Sequence, residues 1–464
     1  MTSTISIAAT FSAEPIKAPM AFWGEELDLP LQIEFAPYRQ IFQELLDVHS
    51  GFARNQRGLN VILLRFEDLV PGWTAGTPQT PAREHLDSLA RNGHELATAI
   101  QAASLRFVVP SLVVICPASP SAQELPDLAA ALHQAEIEFV TAAESLPHVE
   151  VITPDQLLMH HAVAEYYDAA ADRLGNIPYT PLFFTTLGTQ IVRRLHARCR
   201  PPFKLLVLDC DQTLWNGVCG EDGPERVSLD ESRRYLQHFV QAQRQAGMLL
   251  ALSSKNNPAD VAEVFRLHPE FPLRESDFAA SQIHWEPKSQ SIADLANELQ
   301  LGLGSVVFLD DNPVECAEVA ANCPEALVLP LPAKSADIPA FLRGIWAFDR
   351  PKATAEDRLR ASFVQQDVHR DQLRQQTTTL TEFIATLNLV VQIENPALAE
   401  LDRISQLTLR TNQFNTTTIR RDAAEIRRLF AEKTREFVVV RVSDRFGDYG
   451  LVGAVVFETL TTSL

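Results

Sequence analysis

The stretch Lys204-Leu205-Leu206-Val207-Leu208-Asp209-Cys210-Asp211-Gln212-Thr213 decides how this 464-residue chain is read. The apolar run from Leu205 to Leu208 is bounded and unbroken, the pattern of a short strand buried on both faces in a parallel sheet. Asp209 closes that run. In open α/β sheets ligands sit beyond the carboxyl ends of the strands, so a carboxylate at a strand tip, followed by Asp211 and Thr213, marks a place for chemistry.

Working outward, further strands are expected at Met248 to Ser253 and Ser305 to Leu309, with helices at Glu231 to Ala246, Pro258 to Leu267 and Ser289 to Gln300. Alternating strands and helices predict a doubly wound sheet over 200–350. Upstream, Asn60 to Arg65, Leu112 to Cys116 and Glu150 to Ile152 are apolar runs spaced by helical patterns, so a second α/β unit is expected over 1–199, with Arg200-Pro201-Pro202 as the break. Downstream, Ala353 to Thr377 is polar and helix-prone, a linker helix within 351–379. The last unit, 380–464, has a strand at Leu389 to Ile393 and helices near Leu398 to Arg410 and Thr418 to Lys433. It ends in a hairpin from Phe437 to Phe457, turning at Asp444 to Gly450. The length agrees with three units at about 100–200 residues per domain.

Four sets of polar residues follow the apolar runs of the middle unit: Asp209, Asp211 and Thr213; Ser254; Lys288 at a helix start; and Asp310 with Asp311. Phosphoryl transfer needs positioning and charge neutralisation, and these residue types supply both. Asp209 is the candidate nucleophile and Asp211 the candidate acid and base. Thr213, Ser254 and Lys288 can bind the phosphoryl oxygens. Asp209, Asp211 through its carbonyl, and Asp311 can hold Mg²⁺.

Each residue also has an ordinary reading. A calcium-binding EF-hand loop would want Gly and Glu where this chain has Leu214 and Gly220, which excludes it. Lys288 after Pro287 can be a solvated helix start, Ser253-Ser254 a helix cap, and Asp310-Asp311 an N-cap ahead of Pro313. Two buried carboxylate clusters would be costly without a cation, which favours the metal reading.

With 59 acidic against 40 basic residues, a net charge of −19, general attraction to nucleic-acid phosphate or anionic membrane is disfavoured. The 46% apolar content suits globular cores, and no segment is long and apolar enough for a membrane span. The first residues lack the basic start of a secretory leader, and the six cysteines show no disulfide or zinc spacing, so a cytoplasmic protein with reduced thiols is expected.

The segments DCDQT, SSKN, WEPK and FLDD, in that order, are similar to the four motifs of the haloacid dehalogenase (HAD) superfamily. With LDCDQTLWNGVCGEDG, WEPKSQSI, DDNPVECAEV, QLTLRTNQFNTTTIRR and SDRFGDYGLVG, nearly the whole chain resembles the FkbH-like family. That resemblance implies an SGNH-like α/β domain, a HAD-like Rossmannoid α/β domain with a minimal cap, and an acetyltransferase-like α+β domain that is incomplete at Leu464. It implies Mg²⁺, and transfer of a glyceryl group from 1,3-bisphosphoglycerate to the phosphopantetheine arm of an acyl carrier protein, with release of the remaining phosphate. A phosphatase for another small phosphate ester, or a non-catalytic docking component of a synthase, are the other readings.

Cys219, on the flap expected after Gly217, is a possible acyl acceptor, whereas Cys210 should point away by strand alternation. Direct attack by the carrier thiol would need neither. Asn176 stands where the SGNH-like resemblance expects a histidine, so hydrolysis is not expected of that domain; Asp172, Tyr179, His160 and His161 read as structural. Asn412, Gln413, Asn415 and Asp448 can shape a docking surface or simply form turns.

Overall fold

The computed structural model describes residues 2–458 apart from 77–79, 147, 161–162, 350–378, 398–399, 411–418, 420, 422, 433–434 and 446. The expected linker helix at Ala353 to Thr377, together with His161, Asn412, Gln413 and Asn415, falls outside the described residues.

The fold is α/β, with two parallel five-stranded sheets and a three-stranded antiparallel one. The first sheet comprises β1 (Ser3–Ala9), β2 (Leu31–Phe35), β3 (Gly58–Arg65), β4 (Ser111–Cys116) and β5 (Val149–Ile152), in the order β2-β1-β3-β4-β5. Every residue of β4 is buried, as a central parallel strand between two helix layers demands. The apolar runs at Asn60, Leu112 and Glu150 are three of these strands. The reading from sequence began the sheet near Leu31 and passed over β1, whose sequence STISIAA places Ser3 and Ser6 at buried positions. Small hydroxyl residues in the core interrupt the apolar run that identifies a strand.

The second sheet comprises β6 (Leu205–Leu208), β7 (Leu249–Ser254), β8 (Ala280–Ile283), β9 (Val306–Asp310) and β10 (Leu327–Pro330), in the order β10-β9-β6-β7-β8. The two strands that the sequence reading did not reach, β8 and β10, are its edges. Edge strands carry weaker patterns, and a terminal proline such as Pro330 is tolerated there because it need not complete a ladder. Helices Glu231–Gln245, Pro258–Leu267 and Lys288–Glu298 form at the expected places, within two residues at each end.

After β10 the chain runs through the helix Ile338–Gly344 to Trp346–Phe348. Leu342 and Phe348 pack into the core of the second sheet. Trp346 instead packs against Trp23 of the first unit in a tilted pair, with ring centroids 4.8 Å apart. Arg193 donates to the carbonyl oxygens of Arg343 (2.8 Å) and Ile345 (3.3 Å) and pairs with the Asp349 carboxylate.

The third sheet is β11 (Val390–Glu394), β12 (Glu436–Asp444) and β13 (Gly447–Phe457), the last two forming the expected hairpin. Its core is small, built from Leu401, Ile404, Ile426, Phe437, Val439 and Leu451. None of the described helices is long and apolar enough to cross a membrane.

Candidate active site

The second sheet reverses its strand order at β6, which pairs with β7 on one side and β9 on the other. The crevice at such a reversal is where ligands bind in open α/β sheets. Asp209 follows β6, Ser254 ends β7, Asp310 ends β9 and Asp311 is next, so residues about 45 and 100 positions from Asp209 in sequence meet there through register alone.

Lys288 ties the set together. Its Nζ donates to Asp209 Oδ1 at 2.5 Å, to the Ser253 carbonyl oxygen at 2.6 Å and to Asp310 Oδ2 at 3.1 Å. Thr213 Oγ1 donates to Asp311 Oδ1 at 3.2 Å and accepts from the Asp311 N–H at 3.1 Å. The ordinary readings of these residues fail on geometry. Lys288 is only 3% exposed, so it is no solvated helix start. Asn257, not Ser253 or Ser254, caps the helix that begins at Pro258, its side chain accepting from Ala259 N–H at 3.1 Å. Asn312 caps the helix that begins at Pro313, accepting from Val314 N–H at 2.9 Å, which releases Asp310 and Asp311 from that duty.

The carboxylates of Asp209, Asp310 and Asp311 lie within 4.8 Å of one another. Lys288 pairs with two of them, Asp209 and Asp310, while Asp311 is bound by Thr213. Burial pushes the Asp209 carboxyl above its usual range; Lys288 opposes this while Asp310 and Asp311 add to it. Asp311 is raised for the same reason, burial first and then Asp310. Burial works against the Lys288 charge, but Asp209 and Asp310 outweigh it and raise its pKa. Surplus negative charge on hard oxygen donors fits a divalent cation such as Mg²⁺, which takes one or two carboxylates and fills its shell with water and phosphate oxygen. The side-chain group includes Asp310, which the sequence pointed to only as a strand-end residue.

Asp211 contributes no side chain to that group. Its carboxylate accepts from Trp215 Nε1 at 2.8 Å, from Cys219 N–H at 3.1 Å and from Asn256 Nδ2 at 2.9 Å. The backbone turns sharply just after Asp211, with Gln212 at φ +56° and its carbonyl oxygen held by Arg233 at 2.6 Å. Beyond it, Gly217 at φ +101° and Gly223 at φ +95° bracket a short flap with the helix Cys219–Asp222. Cys219 does sit on that flap, but it is 1% exposed and its thiol is pushed up to about 12, by burial first and then by Asp211. It is held as a thiol beside the site, not as a thiolate. Cys210 is fully buried in the core, its thiol raised by burial. Asn256 and Trp215 are the site residues that reasoning from sequence missed, although both lie inside the quoted motif segments.

In the first sheet the corresponding crevice, beyond β1 and β3, opens onto a cleft of about 710 Å³ lined by Ser12, Tyr38, Arg39, Trp73 and Asn176 among others. At its floor Arg65 pairs with Asp68 (2.7 Å), Asp172 (2.8 Å) and Glu67 (3.3 Å), and donates to Asn176 Oδ1 at 3.0 Å. Asp172 is thus an ion-pair partner. Tyr179 is fully buried and donates to the Pro117 carbonyl oxygen at 2.9 Å. His160 ends the helix Pro154–His160. In the third unit, Asp448 accepts from Gly450 N–H at 2.7 Å, a turn-forming contact.

No family model matches the chain, and no curated protein matches it. Among solved structures, the N-terminal part of BF1531 from Bacteroides fragilis, containing a phosphatase domain complexed with Mg, aligns over 75% of this chain and 94% of that one, with TM-score 0.63 at 19% identity. The two proteins share a fold. A candidate HAD-like phosphatase from Mesorhizobium loti aligns over 33% of this chain and 90% of that one at 14% identity, but its TM-score of 0.26 is too low to build on.

Proposed function

We propose that this chain is a magnesium-dependent phosphoryl-transfer enzyme of the HAD type, a phosphatase in its basic reaction. One observation carries the reading: Asp209, at the tip of β6 on a strand-order reversal, is hydrogen-bonded to buried Lys288 and lies in a group of three carboxylates, two of which pair with that lysine. Asp209 attacks phosphorus, forming an aspartyl phosphate as the bond to the leaving oxygen breaks. Asp211 gives that oxygen a proton and later accepts one from the water that cleaves the aspartyl phosphate. Lys288, Thr213 and Ser254 bind the phosphoryl oxygens, and Asp209, Asp310, Asp311 and the Asp211 carbonyl are the residues to hold Mg²⁺. Bound Mg²⁺ supplies charge neutralisation at the transferring group.

The fuller activity proposed is that of the FkbH-like resemblance: glyceryl transfer from 1,3-bisphosphoglycerate to the phosphopantetheine thiol of an acyl carrier protein, with dephosphorylation. Its support is the sparse cover over the site. Between Thr213 and Ser254 the chain forms only the short flap helix and the helix Glu231–Gln245, which leaves space for a long arm. Because Cys219 is kept as a buried thiol, the carrier thiol attacks the acyl phosphate directly in this scheme. The buried Cys219 also favours the simpler alternative, a phosphatase for another small phosphate ester. Intact-protein mass spectrometry of carrier proteins incubated with enzyme, Mg²⁺ and 1,3-bisphosphoglycerate separates the two. A glyceryl increment is expected; phosphate release with no increment on any carrier leaves the phosphatase.

A further inference from the structure

Asn256 occupies a place between the proposed catalytic groups that its chemistry suits. It follows Ser254 by two residues, is almost fully buried, and leaves the capping of the next helix to Asn257. Its Nδ2 donates both to Asp211 Oδ2 (2.9 Å) and to Ser254 Oγ (3.0 Å), while its Oδ1 accepts from the Cys219 thiol at 3.5 Å. The amide orientation is dictated by its neighbours. Its amino group faces two oxygen acceptors, Asp211 Oδ2 and Ser254 Oγ, and its carbonyl faces the flap thiol. One side chain therefore links the group that follows β6 to the group that ends β7, and both to the flap.

We propose that Asn256, anchored on the Ser254 hydroxyl, is a positioning residue for phosphoryl transfer that fixes the proton-carrying Asp211 carboxylate. This rests on the phosphoryl-transfer reading above. Asp211 Oδ1 is already fixed by Trp215 and the Cys219 N–H, so the contact to Oδ2 is the one that sets the tilt of the carboxylate. A proton donor displaced by even an ångström loses much of its effect.

The test exploits the leaving group. An alkyl phosphate needs a proton on its departing oxygen, whereas a dinitrophenyl phosphate departs without one. In Asn256→Ala, kcat/KM for an alkyl phosphate is expected to fall about tenfold or more, with the dinitrophenyl ester reduced by less than about threefold. The same-sized Asn256→Asp, which replaces the donor by an acid, should show the same asymmetry and keeps the test open should the alanine variant fold poorly. Equal losses on both esters, or no loss on either, would overturn the proposal. Asp209→Asn measured alongside separates the two claims. If phosphate release survives in that variant, the phosphoryl-transfer reading itself is wrong. If release is lost there while the asymmetry is absent in the Asn256 variants, only the role given to Asn256 fails.

Discussion

The two parallel sheets each place a buried cation among three acids at the carboxyl end of their strands, and the two clusters are built to opposite ends. In the first, Arg65 meets Asp68 and Asp172 with its rigid fork, donates to Asn176 and lies 3.3 Å from Glu67, whose Oε1 accepts no hydrogen bond. In the second, Lys288 contacts Asp209, Asp310 and one carbonyl oxygen, while Asp311 is bound by Thr213. A guanidinium presents fixed planar donors that fit carboxylates two at a time; an ammonium is a compact point charge. The first cluster is spread around a planar fork, and the second gathers its acids around a point charge, the arrangement that the proposed function would use to hold a divalent cation.

The comparison breaks most directly through paired substitutions. Asp209→Asn is expected to lower phosphate release by about four orders of magnitude or more, the scale seen when a nucleophile is removed, without lowering thermal stability. Arg65→Met should do the reverse, costing about 3–5 kcal/mol by leaving three buried acids without their cation, with kcat retained in the folded fraction. Urea unfolding and phosphate-release assays on both proteins check this, and loss of activity with full stability in Arg65→Met would erase the distinction.

Metal linkage should sharpen it. Mg²⁺ at about a hundredfold over its dissociation constant is expected to stabilise the protein by about 2.7 kcal/mol, with chelator reversing the gain. Asp310→Asn or Asp311→Asn should largely abolish that gain, whereas Arg65→Met should preserve it. Thermal melts with and without Mg²⁺ read it out.

The smallest effect is in pH. A carboxyl with a raised folded pKa keeps its proton in the folded state where the unfolded chain has lost it. Stability is then highest below the ordinary carboxylate range and declines as pH rises to the folded value. Asp209 and Asp311 contribute such a decline, as does Glu67, which burial pushes up to about 7 against the opposing effect of Arg65 and Ser119. Saturating Mg²⁺ should remove the part owed to Asp209 and Asp311 and leave the part owed to Glu67. A decline that Mg²⁺ abolishes entirely would mean that Glu67 does not titrate in this range.

Much of this was legible in the chain itself. The run from Leu205 to Leu208 and its counterparts at β7 and β9 are so uniformly apolar that strand, burial and tip position follow together, and the polar residues at those tips became the site. What escaped depended on contacts that sequence spacing does not encode. Asp310 and Asp311 are adjacent, and only the meeting of β6 with β9 puts both carboxylates beside Asp209. Asn256 and Asn257 are likewise adjacent and chemically identical, yet one bonds Asp211 and Ser254 while the other caps a helix. Cys219 lies in the helix Cys219–Asp222, and its burial comes from packing that GVCGEDG does not encode. In the first unit, β1 was hidden by serines in the core, and Arg65 closes a strand of otherwise apolar residues with partners as far off as Asp172.

The clasp of Arg193 on residues 343–349, with Trp346 packed against Trp23, bears on how such a chain can be recombined. The segment that closes the second unit is fastened to the first through an arginine that would otherwise be buried without its acid. Exchange of either sheet for a relative's would succeed only if Trp23, Arg193 and the 343–349 segment travelled together. The heritable module is then the pair of sheets, and the crevice of the second would change partners only by taking its neighbour along.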